Sequence, residues 1–406
     1  MNILDIITKK KNKEELTYDE LSYAFLGYLN EEIPDYQMSS LLMAITINGM
    51  TLKETINLTD IFIKSGDTYK FNKPVCDKHS TGGIGDTVTF VIAPILGALN
   101  IPICKMSGRG LGITGGTIDK LESIPGYNIN LTKEEYYQII DSCHIAVGAQ
   151  TANLVPLDKV IYALRDVTGT TESIPLIVSS IMSKKIACGA KYIVIDIKCG
   201  EGALIKTKKD AEILSKWLID IGTHFNRKIK TIITDMDEPL STCIGNALEV
   251  KEAIEVLKGK ENNLEKVSIE VASELISMYK DIPLKEATKL AKQTLKDNSA
   301  YQAFEKWINN QNGDLSKLKV SKNILELKSS KNGTVKHISA LACGKLSLKL
   351  GAGRLTKESK IDYGVGIKLL VQKGDIVKKD DVLALLYVKD KNLSLTKEDL
   401  QIFQIN

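Results

Sequence analysis

The segment KHSTGGIGDT, from Lys78 to Thr87, brings a cation, an imidazole, three hydroxyls and three glycines together within ten residues. It follows a short stretch predicted to be a strand and precedes an apolar run predicted to be a helix that begins near Asp86. Free backbone N–H groups at the start of such a helix attract anions, and glycines let the main chain approach a ligand closely. Lys78 can complete an anion site there together with three hydroxyls, those of Ser80, Thr87 and Thr89.

The alternative interpretation of this segment is a tight turn whose Ser and Thr side chains only cap the helix. Glycine alone does not separate the two interpretations, but Lys78 and His79 beside the turn favour a functional one. The segment is not a Walker A loop, because Gly-Lys-Ser/Thr is missing at the required spacing.

A second segment, KMSGRGLGITGGTIDKLE from Lys105 to Glu122, repeats this arrangement one strand later. Lys105 and Ser107 stand at the end of a predicted strand, and Thr117 follows a glycine loop just before a helical run. Taken alone this loop could be a packing turn, but two loops with the same chemistry favour a site. The segment also contains G-x-G-x-x-G, but the acids about 20 residues further on, Glu134–Glu135, lie in a helix capping box, which disfavours dinucleotide binding.

A third segment, LRDVTGTTESIPLIVSSIMSKK, places an arginine before a threonine-rich turn and a serine four residues before a lysine. Ser180 and Lys184 therefore lie on one face of a predicted helix. Arg165 is one of only four arginines in the chain, and its planar fork of donors beside a point cation suits a planar ring that carries oxygens, or a second anion. The alternative is an exposed helix with solvated lysines, which is the preferred interpretation for Lys185 and, without other information, for Lys184.

These segments need elements that place them at one edge of a sheet. The first 65 residues predict only helices, and TYDE and TLKE are capping boxes that begin two of them. Short β-rich runs then alternate with helices, which predicts a parallel sheet flanked by helices. The strands are expected at Val75–Lys78, Ile103–Met106, Tyr192–Lys198 and Lys230–Thr234. Ligands of open parallel sheets bind outside the carboxyl ends of the strands, where the glycine loops lie.

The sequence therefore predicts an α/β fold with a small all-helical domain, a large mixed α/β domain with a central, mostly parallel sheet, and a C-terminal β-rich subregion. The helical domain is expected at residues 1–66 and 155–188, and the α/β domain at 70–154 and 189–330. The β-rich subdomain is expected at 331–406, where strand alternation is separated by Gly-Asp and Asp-Asp turns.

Composition disfavours several classes of protein. Hydrophobic residues make up 43% and charged residues 26% of the 406 residues, as in an ordinary soluble protein. The net charge of +4 is small and no basic run lies beside aromatics, so no nucleic-acid partner is expected. The most apolar window, Val88–Ile103, is too interrupted and too short for a membrane helix, and the first 20 residues contain no signal-peptide core, so no membrane association is expected.

The placement of cysteines and histidines disfavours further classes of protein. Seven cysteines without any C-x-x-C pair are expected to be core residues in a reducing compartment, which predicts a cytoplasmic protein. No His/Cys/Asp cluster has the spacing of a transition-metal site, and no G-x-S-x-G elbow supports a hydrolase. No organic cofactor is expected.

The stretch KMSGRGLGITGGTIDKLESIPGY resembles the signature of the thymidine and pyrimidine-nucleoside phosphorylases. Further segments are similar to that family in the same order along the chain, namely QMSSLLMAI, DKHSTGGIGDT, LRDVTGTTESIPLI, GNALEVKEAI and LGAGRLTKESKID. YALRDVT and SSIMSKK are more similar to the broad-specificity enzymes than to strict thymidine enzymes. The resemblance implies reversible phosphorolysis of uridine, thymidine and deoxyuridine to free base and (deoxy)ribose 1-phosphate in nucleoside salvage.

The resemblance also implies roles for individual residues. Inorganic phosphate would be bound by Lys78, Ser80, Thr89, Lys105, Ser107 and Thr117. The pyrimidine would be contacted from the helical domain by Tyr162, Arg165, Ser180 and Lys184. The catalytic residues would be His79, as donor to the base carbonyl O2, with Arg165 and Lys184. Family members are homodimers and many hold a structural potassium ion, whose ligands here would be Gly85, Thr87, Leu240, Cys243 and Glu252.

Three alternatives stay open at this point. A strict thymidine phosphorylase is the first, because Leu204 stands where the family usually has an aromatic residue, and Cys199 and Glu201 also depart from the family pattern. An enzyme similar to anthranilate phosphoribosyltransferase would need an acidic pair for magnesium diphosphate, whereas VIDIK offers only Asp196. A non-catalytic nucleoside-binding protein has no reason to retain all three of the predicted catalytic side chains.

Overall fold

The computed structural model describes residues 1–110, 112–113, 115–354, 356 and 359–406. The described chain forms two compact units. The first unit comprises Met1–Asp77, Gln150–Ile193 and Glu212–Lys230. The second comprises Lys78–Ala149, Val194–Ala211 and Thr231–Asn406.

The first unit is built on helices. Its amino-terminal part contains α1 (Ile3–Lys11), α2 (Tyr18–Leu29), α3 (Asp35–Asn48) and α4 (Leu52–Lys64). Both predicted capping boxes are present, at Thr17 before α2 and at Thr51 before α4. Two later helices, α8 (Pro156–Thr168) and α9 (Ile174–Ala187), return to this unit, where α8 packs against α2, α3 and α4, and α9 packs against α4.

A five-stranded parallel sheet, in the order β3-β2-β1-β4-β5, positions the glycine loops. Its strands are β1 (Val75–Ser80), β2 (Ile103–Ser107), β3 (Ile145–Ala149), β4 (Ala190–Cys199) and β5 (Lys228–Asp235). The register of the β2–β3 pair sets Ile103 opposite Ile145 and Ser107 opposite Ala149. The division between the units falls inside β1, β4 and β5, so the carboxyl ends of all five strands belong to the second unit.

Eight further helices accompany the sheet. They are α5 (Val88–Ala98), α6 (Thr117–Glu122), α7 (Lys133–Cys143), α10 (Lys208–His224), α11 (Asn246–Leu257), α12 (Asn263–Lys280), α13 (Leu284–Lys296) and α14 (Ser299–Asn310), followed by the 3-10 turn Leu315–Lys317. Helix α5 is almost wholly buried and packs against α11, α12, α13 and α14. On α14 the indole of Trp307 is buried and donates to the Tyr127 hydroxyl at 3.0 Å and to Oε1 of Gln311 at 2.9 Å. The apolar run at the start of α5 is therefore explained by burial on all sides.

The C-terminal region is β-rich and belongs to the second unit. Its strands are β7 (Asn323–Lys328), β8 (Gly333–Ile338), β9 (Gly366–Leu369), β10 (Ile376–Val377), β11 (Val382–Val388) and β12 (Phe403–Ile405), with helix α15 (Ala340–Leu350) between β8 and β9. They pair antiparallel in two sheets, β10-β8-β12 and β6-β9-β11-β7. Because β6 (Cys243–Ile244) comes from the chain between β5 and α11, the second sheet recruits one strand from the α/β region.

The predicted fold class is confirmed, and each of the four predicted strands is present and extends beyond its predicted bounds. Strands β3 and β6 were not predicted from the sequence, and β7 begins before the β-rich subregion that was expected at 331–406. The helix expected near Asp86 begins at Val88. Six of the seven cysteines are buried and Cys199 is half-buried, as expected of core residues. Within the described ranges, no helix is both long and apolar enough to cross a bilayer.

Candidate active site

Lys78 lies in a buried cluster of charges at the carboxyl end of β1. Its side chain is 1% exposed, and its Nζ lies 3.3 Å from Oδ2 of Asp196 and 3.7 Å from Oδ1 of Asp86. Nζ of Lys198, on β4, lies 2.7 Å from the same oxygen of Asp196 and 3.9 Å from Oδ2 of Asp86. Two lysines and two aspartates thus alternate in a closed ring, called here the Lys–Asp ring (Lys78, Asp196, Lys198 and Asp86). Each buried charge in the ring has a partner of opposite sign, as burial requires.

Asp86 directly follows the first glycine turn. The hydroxyl of Ser80 donates to its Oδ2, and the N–H of Val88 donates to its Oδ1 at 3.3 Å. Burial by itself raises the pKa of Asp86, but Lys198 and Lys78 outweigh burial and hold that pKa well below its ordinary value. Two of the predicted phosphate ligands, Lys78 and Ser80, therefore both contact a permanent carboxylate.

The other predicted phosphate ligands lie on β2 and in the first turns of two helices. Nζ of Lys105 donates to the carbonyl oxygen of Lys78 at 2.6 Å, so the lysines of two neighbouring strands meet. Ser107 is the last residue of β2, Thr89 lies in the first turn of α5, and Thr117 is the first residue of α6. The second unit thus holds all six predicted phosphate residues at strand ends and helix starts, and contacts connect Lys78, Ser80 and Lys105.

His79 is half-buried between Lys78 and Ser80 on β1. Successive residues of a strand point to opposite faces, so the imidazole lies on the face away from Lys78 and Ser80. Lys78 and Ser80 of the opening segment therefore share one face of β1, and the imidazole of His79 lies on the other.

The second glycine loop is held by a residue from the far end of the chain. Nη1 of Arg354 donates to Oδ1 of Asp119 at 2.5 Å, and the N–H of Gly110 donates to Oδ2 of the same aspartate at 2.6 Å. The N–H of Gly112 donates to the carbonyl oxygen of Arg354 at 3.0 Å. A Cβ at Gly116 would lie 2.2 Å from the backbone nitrogen of Gly110, so only glycine fits there. Arg354 therefore stabilises the conformation of this loop.

The residues predicted to contact the pyrimidine lie on α8 and α9 in the first unit. Arg165 is buried, and its Nε and Nη2 donate to the carbonyl oxygens of Thr170 at 3.1 Å and Thr171 at 2.9 Å. Burial lowers the pKa of Arg165 to about 10, so the guanidinium stays charged near neutral pH. On α9, Nζ of Lys184 donates to the hydroxyl of Ser180 at 2.9 Å, as their spacing indicated.

Asp158 holds Lys184 from the neighbouring helix. Its buried Oδ2 accepts a hydrogen bond from Nζ of Lys184 at 2.6 Å. Asp158, the exposed Tyr162 and Arg165 follow one another at four and three residues, so they lie along one face of α8. Asp158 was missed in the sequence, although this spacing within LDKVIYALR was the signal that could have found it.

The prediction for Lys185 is wrong. The lysine is buried, and its Nζ lies 2.7 Å from Oδ2 of Asp77 on β1. Its partner is 108 positions away in the sequence, so helix periodicity alone could not reveal the pair.

The residues assigned to a cation surround the turn between β5 and α11. The hydroxyl of Ser241 donates to the carbonyl oxygens of Gly85 and Cys243, which brings these two oxygens together. The carboxylate of Glu252 accepts from the N–H groups of Thr242 at 3.1 Å and Cys243 at 2.7 Å, and so orders the turn.

The other two residues of that set have partners of their own. The Leu240 carbonyl oxygen accepts from Nδ2 of Asn263 at 3.1 Å. The Thr87 hydroxyl donates to Oε2 of Glu249 at 2.6 Å, which also lies 3.1 Å from Nζ of Lys120. Within the described ranges, no group of three or more His, Cys, Asp and Glu side chains could hold a metal ion.

The acidic and hydroxyl partners that orient the predicted site residues were not predicted from the sequence. They are Asp86, Asp158, Ser241 and Glu249, together with Lys198. The one signal for Lys198 was its place two residues after Asp196, because alternate residues of a strand share a face.

Comparison with known proteins gives the class to which this fold and site belong. Residues 4–66 match the helical bundle domain of a glycosyl transferase family, and residues 72–301 match the a/b domain of the same family. Residues 334–401 match the pyrimidine nucleoside phosphorylase C-terminal domain. The chain is thus a pentosyltransferase-type enzyme of that glycosyl transferase class.

Two relatives align with nearly the full length of this chain. The chain is 46% identical to a pyrimidine-nucleoside phosphorylase of Geobacillus stearothermophilus, covering 98% of this chain and 95% of the relative. It is 45% identical to a pyrimidine-nucleoside phosphorylase of Bacillus subtilis, covering 97% and 93%. The chain belongs to the pyrimidine-nucleoside phosphorylase family.

A solved structure shares the fold at low sequence identity. The anthranilate phosphoribosyltransferase of Thermus thermophilus aligns with a TM-score of 0.61 at 14% identity, over 76% of this chain and 99% of that one. That likeness concerns the fold alone. A magnesium diphosphate site would need an acidic pair, and Asp196, the one acid of VIDIK, accepts from the Thr234 hydroxyl at 2.7 Å and pairs with two lysines, which does not favour the transferase alternative.

The carboxylate of Asp86 is expected to stabilise the folded second unit most at neutral pH. Its pKa is lower folded than unfolded, so this contribution is fully present above the unfolded pKa of about 3.9 and is lost progressively as the pH falls below it towards the lower folded pKa. Asp86→Asn should lower the free energy of unfolding by about 3–5 kcal/mol at pH 7, and by a smaller amount at pH 3.5, where the unfolded carboxyl is already partly protonated. Urea unfolding at the two pH values measures the difference.

Glu255→Gln is the matched control, because it removes a carboxylate from an exposed pair with Lys260. Exposed pairs contribute little, so this variant should unfold like the parent protein at both pH values. An Asp86→Asn effect of equal size at pH 7 and pH 3.5 would contradict the electrostatic role.

Proposed function

We propose that this chain catalyses the reversible phosphorolysis of pyrimidine nucleosides to free base and (deoxy)ribose 1-phosphate. The carrying observation is that Lys78, Lys105 and Ser80 are linked at the carboxyl edge of a parallel sheet. Cations, hydroxyls and helix N-termini at such an edge suit inorganic phosphate. Relatives of nearly the same length are named pyrimidine-nucleoside phosphorylases, which supplies the second substrate class.

The reaction explains why cations outnumber candidate acids and bases. Phosphate attacks C1′ of the sugar from the face opposite the base, and the C1′–N bond breaks through a transition state with oxocarbenium character. A glycosidase needs two carboxylates because it activates water and protonates an alkoxide. Here the nucleophile is already an anion, and the pyrimidine leaves with negative charge spread over its ring. Positioned cations and donors therefore supply the catalysis.

We assign the phosphate to the six residues of the second unit (Lys78, Ser80, Thr89, Lys105, Ser107 and Thr117) and the pyrimidine to four residues of the first (Tyr162, Arg165, Ser180 and Lys184). Arg165 and Lys184 stabilise the departing ring. Arg165 is already fixed by two carbonyl oxygens, and Lys184 by Asp158 and Ser180. Donors held in place before the reaction need little reorganisation when charge develops.

The function is tested by incubating the purified protein with uridine, thymidine or deoxyuridine, with and without phosphate, and following base release. We expect release from all three nucleosides that depends on phosphate. Absence of phosphate-dependent release from every nucleoside would refute the proposal. Release from thymidine alone would favour the strict thymidine enzyme, and Leu204, 48% exposed in the loop after β4, is the position to which we would trace it.

His79 is expected to serve the base and not the phosphate, because its strand position separates it from Lys78 and Ser80. His79→Ala should lower kcat about 10²–10³-fold, the usual cost of one lost donor to a developing anion. The dissociation constant of inorganic phosphate, measured by calorimetry, should stay within about threefold of the parent value. Loss of phosphate affinity would place the imidazole in the phosphate site instead.

A potassium ion is proposed beside the first glycine turn, held by Gly85, Thr87, Leu240, Cys243 and Glu252. Hard cations prefer oxygen ligands, and the carbonyl oxygens of Gly85 and Cys243 already converge around Ser241. Glu252 supplies negative charge to the same turn, where its carboxylate accepts from the N–H groups of Thr242 and Cys243. The ion would hold the turn, and no chemical step is assigned to it.

Potassium chloride should raise the melting temperature above that in choline chloride at equal ionic strength, because an ion that binds only the folded state stabilises it. In Gly85→Ala this increment should vanish, since its Cβ would lie 2.7 Å from Oγ of Ser241. Gly259→Ala is the control, as that glycine also has a positive φ but nothing within 4 Å of the added Cβ. A salt-specific increment that survives in Gly85→Ala would exclude this site.

A homodimer is proposed to form through the exposed apolar face of α3. Tyr36, Met43 and Ile47 are spaced by seven and four residues and therefore form one stripe, and Tyr36 and Ile47 are 72% and 73% exposed. Exposed apolar stripes of this kind mark interaction surfaces. A second copy is the occupant that the family resemblance implies.

Sedimentation velocity should show a dimer for the parent protein and a monomer for Ile47→Glu, because a buried unpaired carboxylate opposes association. Ile376→Glu is the matched control, as Ile376 is 84% exposed on β10 and should leave the dimer intact. A dimeric Ile47→Glu protein would show that this face does not form the dimer.

We also propose a cytoplasmic location. The buried cysteines support it, because free cysteines are typical of reducing compartments, and cell fractionation tests it.

A further inference from the structure

Lys198 is a fully buried lysine to which the proposed mechanism gives no role. Its side chain is 0% exposed, and its backbone N–H donates to the Thr81 hydroxyl at 2.8 Å, which fixes the end of β4. Nζ lies 2.7 Å from Oδ2 of Asp196, yet within the described residues it makes no hydrogen bond of good geometry. The ammonium therefore acts mainly through its charge. Burying such a charge is costly, and the arrangement around it shows what the charge does.

Lys198 and Lys78 share one carboxylate oxygen. Oδ2 of Asp196 lies 2.7 Å from Nζ of Lys198 and 3.3 Å from Nζ of Lys78. The other oxygen of Asp196 accepts from the Thr234 hydroxyl at 2.7 Å. Lys198 is thus the nearer cation and neutralises the larger share of this buried negative charge. Without it, Asp196 would attract the ammonium of Lys78 alone.

The charge count of the Lys–Asp ring leads to the same result. Its two lysines and two aspartates sum to zero, and the adjacent Lys105 adds one positive charge. Removing Lys198 would make the ring negative beside the predicted phosphate residues. In a buried site with little screening, one negative charge repels an anion strongly.

We propose that Lys198 is a positioning residue for phosphate: it neutralises Asp196 so that the ammonium of Lys78 stays available to a phosphate oxygen. This inference rests on the proposed function in so far as it takes Lys78 as a phosphate ligand. Lys198 acts through Lys78 and does not itself touch the anion.

Calorimetric titration of the full chain with inorganic phosphate tests the inference without turnover. Lys198→Met should weaken phosphate binding about tenfold or more, a change that corresponds to one moderate interaction. The double variant Lys198→Met/Asp196→Asn removes both charges and keeps an oxygen for the Thr234 hydroxyl, so it should bind phosphate within about threefold of the parent protein. Initial rates should show the same pattern in the KM for phosphate, with the KM for uridine unchanged.

Lys10→Met is the matched control. Lys10 forms an equally short, buried pair, with Nζ 2.7 Å from Oε1 of Glu54, but this pair lies in the first unit. This variant should lose thermal stability as Lys198→Met does, because each leaves a buried carboxylate unpaired. Its affinity for phosphate should nevertheless equal that of the parent protein.

The outcomes separate the possibilities. Normal phosphate affinity in Lys198→Met, or a double variant as weak as the single one, would overturn the inference; the second result would make Lys198 a direct ligand or a purely structural residue. Should Lys198→Met fail to fold, the charge-balanced double variant decides alone by its affinity. A parent protein that binds phosphate but releases no base refutes the proposed function and leaves this inference open to the same titration, whereas one that binds no phosphate refutes both.

Discussion

The second unit depends on the compensation of buried charge where β1 and β4 end. Buried lysines must leave water when the chain folds, and the Lys–Asp ring makes that possible by giving each ammonium a carboxylate neighbour. Other features follow from this constraint. The glycine turn brings Asp86 back towards β1, the Ser80 hydroxyl binds that carboxylate, and Thr234 from β5 satisfies the remaining oxygen of Asp196.

The first unit also holds cations in place, but not all of them have a carboxylate partner. Arg165 is fixed by main-chain carbonyl oxygens, whereas Lys184 is fixed by Asp158 across two helices. Carbonyl oxygens bring no countercharge, so they leave the positive charge of the arginine uncompensated. Lys185 is likewise held by a carboxylate, because its Nζ lies 2.7 Å from Oδ2 of the buried Asp77. The cations of this unit are therefore fixed in two ways, by carbonyl oxygens that leave the charge uncompensated and by carboxylates that neutralise it.

Residues of the C-terminal region hold loops of the second unit in place. Arg354 holds the second glycine loop through Asp119 and Gly110. The loop after β4 is held in a related way, since the Ser339 hydroxyl at the start of α15 donates to Glu201 at 2.5 Å. Glycine loops have little intrinsic rigidity, and these contacts from distant sequence replace it. The β-rich region therefore belongs to the same compact unit as the loops that it orders.

The sequence by itself determined the fold class, the capped helices, four of the five strands of the parallel sheet and the residue types at the glycine loops, because periodicity, capping and turn chemistry act over a few neighbouring residues. Family resemblance added roles for Lys78, Arg165 and Lys184. Only the tertiary structure decided which carboxylate accompanies each cation, since Asp196 and Asp158 meet their lysines across different strands or helices. Strands β3 and β6 were missed as well; β6 has only two residues, whereas β3 is as long as the predicted β2, so its length was not the reason. A pairing between distant residues is a property of the folded chain, and no periodic pattern in the sequence predicts it.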